Sequence, residues 1–344
     1  MLRRFMPLLF AFFGILARPL ATSGHEPGAP LKAGIIGLDT SHAIAFTRLL
    51  NDPKARGDLA GVRVVAAYPG GSKDVAASRD RIAGFTRQMR DELHIEIVAS
   101  IEDLLKKVDV VLLLSVDGRK HLEQVRPVFR ARKPVFIDKP LGGSLAEVLE
   151  IFRLAEENHV PCFSSSSLRF SPGIMARRHD PKVGEVLGCD AYGPCSLEEH
   201  HPDLFWYGIH GVEALYTIMG PGCGSVVRVQ TKDTELVSGT WQDGRIGTFR
   251  GLRRGKEDYG TLVFGTKGIV AGDASAGYEP LVAEICKFFK TGRAPVAAAE
   301  TVEIYTFMEA ADESKRRGGS PVSLADVLAK ARDQAAHLKK EESR

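Results

Sequence analysis

Six short apolar runs, separated by longer helical patterns, constrain this chain more than any other feature. They are KAGIIGL (32–38), VRVVAAY (62–68), IEIVA (95–99), DVVLLLS (109–115), PVFID (134–138) and VPCFS (160–164). Runs so short and so uniformly apolar suit strands buried on both faces, as in a parallel sheet covered by helices. Helical patterns fall near 41–50, 75–92, 119–131 and 145–158, with a helix entry at Ser100–Asp103, so strand and helix alternate. The alternation predicts an α/β, doubly wound parallel sheet of the Rossmann type.

The pattern changes after Ser171. Strand-like stretches at 225–231, 234–242, 246–253 and 259–265 lie close together, joined by turns such as Asp243-Gly244 and Thr266-Lys267-Gly268. Consecutive hairpins predict an open-faced, mainly antiparallel sheet. Helices are expected near 207–219, 278–290 and 299–316. The expected division is a signal peptide at 1–23, a Rossmann domain at 30–165, an α+β domain at 166–330, and a helix end and tail at 331–344.

The signal-peptide expectation rests on Arg3 and Arg4 before an apolar run from Phe5 to Ala17, followed by small residues through Ser23. The run is shorter than the ~20 residues that span a bilayer, and its order is that of a secretory leader. Arg3-Arg4-Phe5-Met6 also loosely resembles a twin-arginine signal. Export to the periplasm or outside the cell is expected; a cytoplasmic protein is the alternative if the segment is part of the fold. The net charge of +3 falls to about zero (3 − 3) when Arg3, Arg4 and Arg18 leave with the leader. A neutral chain has no general attraction to nucleic acid or to a membrane surface. The five cysteines, 162, 189, 195, 223 and 286, show no zinc-finger spacing. Buried free thiols are expected, with a 189–195 disulfide the alternative.

A dinucleotide-binding turn reads G-x-G-x-x-G, delivering helix amides and the positive helix end to a pyrophosphate. Gly37-Leu38-Asp39-Thr40-Ser41-His42 keeps only the first glycine. Two readings compete: Asp39 or Ser41 caps the helix and occupies the amides, or Asp39 points away and Thr40 and Ser41 still face phosphate. The second strand ends Tyr68-Pro69-Gly70-Gly71-Ser72-Lys73, with no acid for the adenosine ribose before Asp74. Ser72 and Lys73 either accept a 2′-phosphate, favouring NADP, or form an ordinary solvated turn. Ser115 and Asp117 close the fourth strand, where open α/β sheets bind ligands; Asp117 is alternatively a helix cap, and His121 a structural histidine. Lys139, between Asp138 and Pro140, is the leading catalytic candidate: its ammonium can polarise a substrate oxygen, and burial lowers a lysine pKa toward proton transfer.

GIIGL (34–38), DVVLLLSVDGRKH (109–121), DKP (138–140), GIHGVEAL (208–215), ETVEIYTFMEAADES (300–314) and GGSPVSL (318–324), in this order, resemble the Gfo/Idh/MocA oxidoreductase family. The resemblance implies a Rossmann domain followed by an open-sheet domain. It also implies an NAD or NADP cofactor and a sugar or sugar-derived polyol as substrate, with hydride transfer at a ring carbon. Asp138 departs mildly from the family's E-K-P. The resemblance makes His210 the proton-transferring histidine, and a histidine like His42 stands at the third glycine position of some members. Trp206 replaces a substrate-binding aspartate and offers a face to a sugar ring. Glu213 is a candidate orienter of His210, His201 a partner for a sugar hydroxyl, and Arg169 either borders the substrate or bridges the domains. Glu198-Glu199-His200-His201-x-Asp203 has metal-ligand chemistry but adjacent spacing, and no metal site is expected. Alternatives are an NAD-assisted glycosidase or lyase with transient oxidation, and a cofactor-less sugar-binding pseudoenzyme. Self-association through the open sheet follows by family analogy.

Overall fold

The computed structural model describes residues 29–274 and 277–342; the leader at 1–23 lies outside them. Strands β1 (Leu31–Ile36), β2 (Val62–Tyr68), β3 (Glu96–Ile97), β4 (Val110–Leu113), β5 (Val135–Ile137) and β6 (Cys162–Phe163) form one parallel sheet in the order β3-β2-β1-β4-β5-β6. This is the Rossmann order, with its switch point between β1 and β4. Both faces are buried, as the sequence requires. Ile36, Val111, Leu113, Val135 and Ile137 enter one core with α5 (His121–Arg130) and α6 (Leu145–Glu157). Their alternates Ala33, Ile35, Val110, Leu112 and Phe136 enter another with α1 (Ser41–Leu50).

The helix expected over 75–92 is two helices, α2 (Ala76–Arg79) and α3 (Ile82–Asp91), broken at Asp80-Arg81. Val75 is fully buried, and the Ser78 hydroxyl is drawn into the sheet end, which fixes α2 in a direction that α3 does not continue. A short α4 (Ile101–Leu105) begins with Ser100 capping the Asp103 amide.

The second sheet has seven strands in the order β12-β11-β7-β10-β9-β8-β13. They are β7 (Val186–Pro194), β8 (Cys223–Gln230), β9 (Thr234–Trp241), β10 (Ile246–Leu252), β11 (Gly260–Gly265), β12 (Ile269–Asp273) and β13 (Val322–Ser323). It is antiparallel except for the β7–β10 pair, which is parallel. A short α7 (Pro172–Met175) leads into this half, and α8 (Ile209–Met219) covers the inner face of the sheet. Gly211 permits that contact, because a Cβ there would lie 2.1 Å from the Phe249 ring. Of the remaining helices α9 (Glu279–Thr291), α10 (Ala298–Arg316) and α11 (Leu324–Glu342), α9 returns to the first sheet. Its Leu281, Ile285 and Phe288 share a core with Ala43 and Phe46 of α1, which brings Tyr278 to the mouth of the Rossmann crevice. The five cysteines are free thiols. Among the described residues no helix is long and apolar enough to cross a membrane.

Candidate active site

Gly37 ends β1 with φ +96, and a Cβ there would stand 2.3 Å from the Ser115 amide nitrogen. Only glycine allows this turn to lie against the end of β4. Thr40 caps α1, its hydroxyl accepting from the His42 amide at 3.4 Å. Asp39 does not cap the helix. Its carboxylate is fully buried and accepts from the Val116 N–H (3.0 Å) and the Ser78 hydroxyl (2.6 Å). Burial raises its pKa, with the two hydrogen bonds opposing. Asp39 thus points away from the head of α1, as one reading held, but it spans the crevice to the 72–78 segment.

That segment is bound from several sides. Ser78 Oγ accepts the Ser72 N–H at 2.8 Å, and the Ser72 hydroxyl donates to Asp117 at 2.5 Å. Val75 packs against Val116 and Trp206. Asp117 is fully buried and caps the turn at Gly118–Lys120, accepting from the Arg119 amide. Burial works against its charge, but bonds from His201, Arg119 and Ser72 prevail and hold the carboxyl well below its ordinary range. Ser115 donates to Gln124 (2.8 Å). Ser72, Ser115 and Asp117 therefore serve one another and their neighbours here.

Beside this lies a cavity of about 290 Å³, lined by the head of α1 (Thr40, Ser41, His42), by Lys139, and by His210 of α8. Tyr207, Tyr259 and Tyr278 add phenol groups, and Arg81 enters from the α2–α3 break. The volume is at the lower end of small-molecule pockets, about 300–1000 Å³. Lys139 is half-buried, with its ammonium 5.3 Å from the Tyr207 ring centre. Burial lowers its pKa, Asp138 opposes, and Arg81 adds to the lowering. Asp138 accepts the Lys139 N–H at 2.8 Å and lies 2.5 Å from His42 Nδ1. Burial works against the Asp138 charge, but His42 and Lys139 outweigh it and hold the carboxyl below its usual range.

His210 Nδ1 lies 2.7 Å from Ser166 Oγ, and burial, then Lys139 and His42, push its pKa well down. Ser166, not Glu213, orients it. Glu213 instead accepts from Ser165 (2.7 Å) and Arg169 (2.6 Å), and Arg169 also pairs with Glu300 at 2.8 Å. This buried ion pair ties the 3-10 turn after β6 (Ser167–Phe170) to α8 and α10 and keeps both residues off the cavity. His201 is likewise away from it: its side chain is fully buried between Glu198 (2.6 Å) and Asp117 (3.1 Å) and has no free edge for a sugar hydroxyl. Trp206 does line the cavity. It sits in a π-helical turn, Leu204–Gly208, where the Ile209 N–H reaches back to the Leu204 carbonyl; such turns are frequent at functional sites. Glu198, Glu199 and His200 bring three ligand atoms within 4.8 Å of one another. Glu198 is already bonded to both His200 and His201.

The sequence profile of the Gfo/Idh/MocA oxidoreductase family, described as having an NAD-binding Rossmann fold, matches residues 31–166. Over residues 31–166 the chain is similar to that family. Among curated proteins, the uncharacterized oxidoreductase YhhX of Escherichia coli is 23% identical over 141 residues, 37% of this chain and 40% of that protein. The chain thus matches less than half the length of that relative. Among solved structures, apo scyllo-inositol dehydrogenase of Lactobacillus casei superposes with a TM-score of 0.71 at 15% identity, over 86% of this chain and 99% of that one. An oxidoreductase from Agrobacterium radiobacter, in complex with NAD+, L-tartaric acid and magnesium, superposes with a TM-score of 0.69 at 16% identity, over 87% and 99%. The two-domain fold is common to these structures.

The residues at the head of α1 fit the nicotinamide end of the NAD that the matching family's description names. The Gly37 turn, the α1 head and Lys139 meet at the carboxyl ends of β1, β4 and β5. The other half of the crevice is occupied by the chain's own 72–78 segment. Tyr207, Tyr259, Tyr278, Arg81 and Ser166 were not among the residues singled out from sequence. No local motif marks them, because they converge from five separate stretches.

Proposed function

We propose that the protein is an NAD(P)-dependent oxidoreductase acting on a sugar or sugar-derived polyol, with hydride transfer at a ring carbon. The observation that carries this reading is Lys139. Its ammonium stands in a cavity beside the Gly37 turn, next to two imidazoles and three phenols. The nicotinamide group, when bound, supplies the hydride acceptor or donor. The protein's part is to hold the substrate and move its proton. Lys139 polarises the reacting oxygen, since an ammonium stabilises developing negative charge far better in a desolvated site than in water. His210 lines the same cavity. Trp206, Tyr207 and Tyr259 offer flat faces and hydroxyls suited to a polyol.

Asp39, Thr40, Ser41, Ser115 and Asp117 are proposed to act on the cofactor side through the turn they build. Arg169, His201 and Glu213 support the site without meeting the substrate. A cofactor-less sugar-binding protein is the second reading, favoured by the Asp39–Ser78 bond across the crevice. Fluorescence titration with NADH and NADPH, followed by oxidation assays on a panel of inositols and aldoses, separates the two. Saturable binding and substrate-dependent NAD(P)H release are expected, and sugar binding without nucleotide binding refutes the first reading. Net NAD(P)H release also excludes a purely transient oxidation.

The outer face of the second sheet exposes Tyr192, Ile246, Leu262 and Ile269. We propose that a second copy of the chain covers it, which light scattering on the purified protein tests directly.

A further inference from the structure

We infer that His42, held by Asp138, is the group that exchanges the substrate hydroxyl proton in this cavity; the inference rests on the oxidoreductase reading above. His42 stands where a dinucleotide turn ordinarily has its third glycine, on the first turn of α1. Its ring is fixed in one orientation. It stacks on Phe46 (5.2 Å between centres, 10° between planes) and meets the Tyr278 ring edge-on at 4.6 Å. Nδ1 lies 2.5 Å from Asp138 Oδ2. The ring lines the cavity, and Nε2 has no hydrogen-bond partner among the described residues. A carboxylate behind one imidazole nitrogen selects the tautomer protonated there. The other nitrogen is left as a base, and the imidazolium that forms is stabilised.

His210 has a different arrangement. Its Nδ1 faces the Ser166 hydroxyl, whose oxygen already accepts the Leu168 N–H at 3.1 Å. The hydroxyl has a hydrogen to give to His210 Nδ1, and with that bond made the imidazole proton sits on Nε2. A neutral hydroxyl does not stabilise an imidazolium, and burial with Lys139 and His42 nearby already disfavours one. The groups around His42 are Asp138 and Lys139 from the end of β5, Tyr278 before α9, and His210 from α8. Arg81 acts on Lys139 from the α2–α3 break. Asp138 alone among them is anionic and bonded to the ring. Of the two imidazoles, His42 is built to accept a proton and His210 to donate a hydrogen bond.

In the oxidation direction the substrate O–H bond breaks and its proton goes to His42 Nε2. The carbinol C–H bond breaks, and its hydrogen leaves with the electron pair to the nicotinamide of bound NAD(P)+. The carbon–oxygen double bond forms; the substrate loses two electrons and the nicotinamide gains them. Lys139 and His210 steady the oxygen throughout.

The test compares wild type with His42→Gln, Asp138→Asn and His210→Gln, each checked for folding by thermal melt. NADH affinity is read by fluorescence, independently of turnover. The expected result is that His42→Gln binds NADH as wild type does but loses about 10²–10⁴-fold in kcat. Asp138→Asn also keeps NADH affinity and loses kcat, since an amide does not orient and stabilise the imidazolium as the carboxylate does. His210→Gln loses less in kcat than either. An unchanged kcat in His42→Gln, or a larger kcat loss in His210→Gln than in His42→Gln, overturns the assignment. A wild type that binds no nucleotide overturns the oxidoreductase reading itself. If wild type binds NADH but turns over no polyol offered, diethylpyrocarbonate labelling decides. His42 modified, and protected by NADH, supports the assignment; His42 unmodified or unprotected overturns it.

Discussion

Replacing Asp39 tests the least expected part of the site. Asp39→Ala removes the acceptor of the Val116 N–H and of the Ser78 hydroxyl together. A buried amide left without a partner costs about 1–3 kcal/mol, whereas a hydroxyl can turn to another acceptor. Against this, burial raises the Asp39 pKa, so the carboxylate charge is itself unfavourable and its removal returns part of the loss. The net expectation is a destabilisation of about 1–2 kcal/mol, or about 1–3 °C in Tm for a chain of this size. Asp39→Asn keeps the carbonyl acceptor for Val116 and presents its amide to Ser78 Oγ, so it should lose less.

The pH dependence has a definite sign. A folded pKa above the ordinary 3.8 means that the folded protein holds a proton the unfolded chain releases. This contribution is complete below 3.8 and is lost as pH rises through the raised value. Lowering the pH from neutrality should therefore improve wild type relative to Asp39→Asn, which cannot titrate. Melts of the three proteins at several pH values supply the measurement. Because the same carboxylate links the Gly37 turn to the 72–78 segment, Asp39→Ala should also change the affinity for NADH. Equal Tm values at every pH, with unchanged nucleotide affinity, would refute the placement of this side chain.

Lys139→Met should abolish turnover while leaving Tm equal or higher, since burial lowers the Lys139 pKa and its charge is a cost to the fold; a melt and a rate on the same sample check both. Gly211→Ala drives a Cβ into the Phe249 ring; overpacking of this kind costs about 1–3 kcal/mol, read as a fall in the denaturant midpoint. Arg228, 2% exposed, is ion-paired with Asp203, Glu235 and Asp312. Arg228→Met leaves buried carboxylates without their cation and should cost about 3–5 kcal/mol, with cofactor affinity unchanged if the protein is assayed well below its melting point.

The Rossmann half was legible because its strands are buried on both faces, and no other pattern yields six uniform apolar runs. The strand β7 was missed: Gly188, Gly193 and Pro194 break any apolar run, and its pairing partners β10 and β11 are distant in sequence. The break between α2 and α3 was illegible because its cause is tertiary, the pull of Val75 and Ser78 into the sheet end. At the site, Lys139 stood out because Pro140 and a strand end frame it. His201, Arg169 and Glu213 resemble substrate ligands by residue type. Arg169 is taken by Glu213, 44 positions away, and His201 by Asp117, 84 positions away, a fact carried by the fold alone; spacing along the chain cannot show it. His42 was read as part of the turn, and its bond to Asp138 crosses 96 positions.

The most direct test of the central claim uses Trp206, which is 8% exposed and lines the cavity, with Trp241 buried in the second sheet as the internal reference. Titrating NADH into wild type should give saturable quenching of tryptophan emission with sensitised nicotinamide fluorescence. In Trp206→Phe the energy transfer should fall sharply while binding persists. Absence of any saturable signal in wild type, or transfer undiminished in Trp206→Phe, would contradict a nicotinamide site beside Lys139.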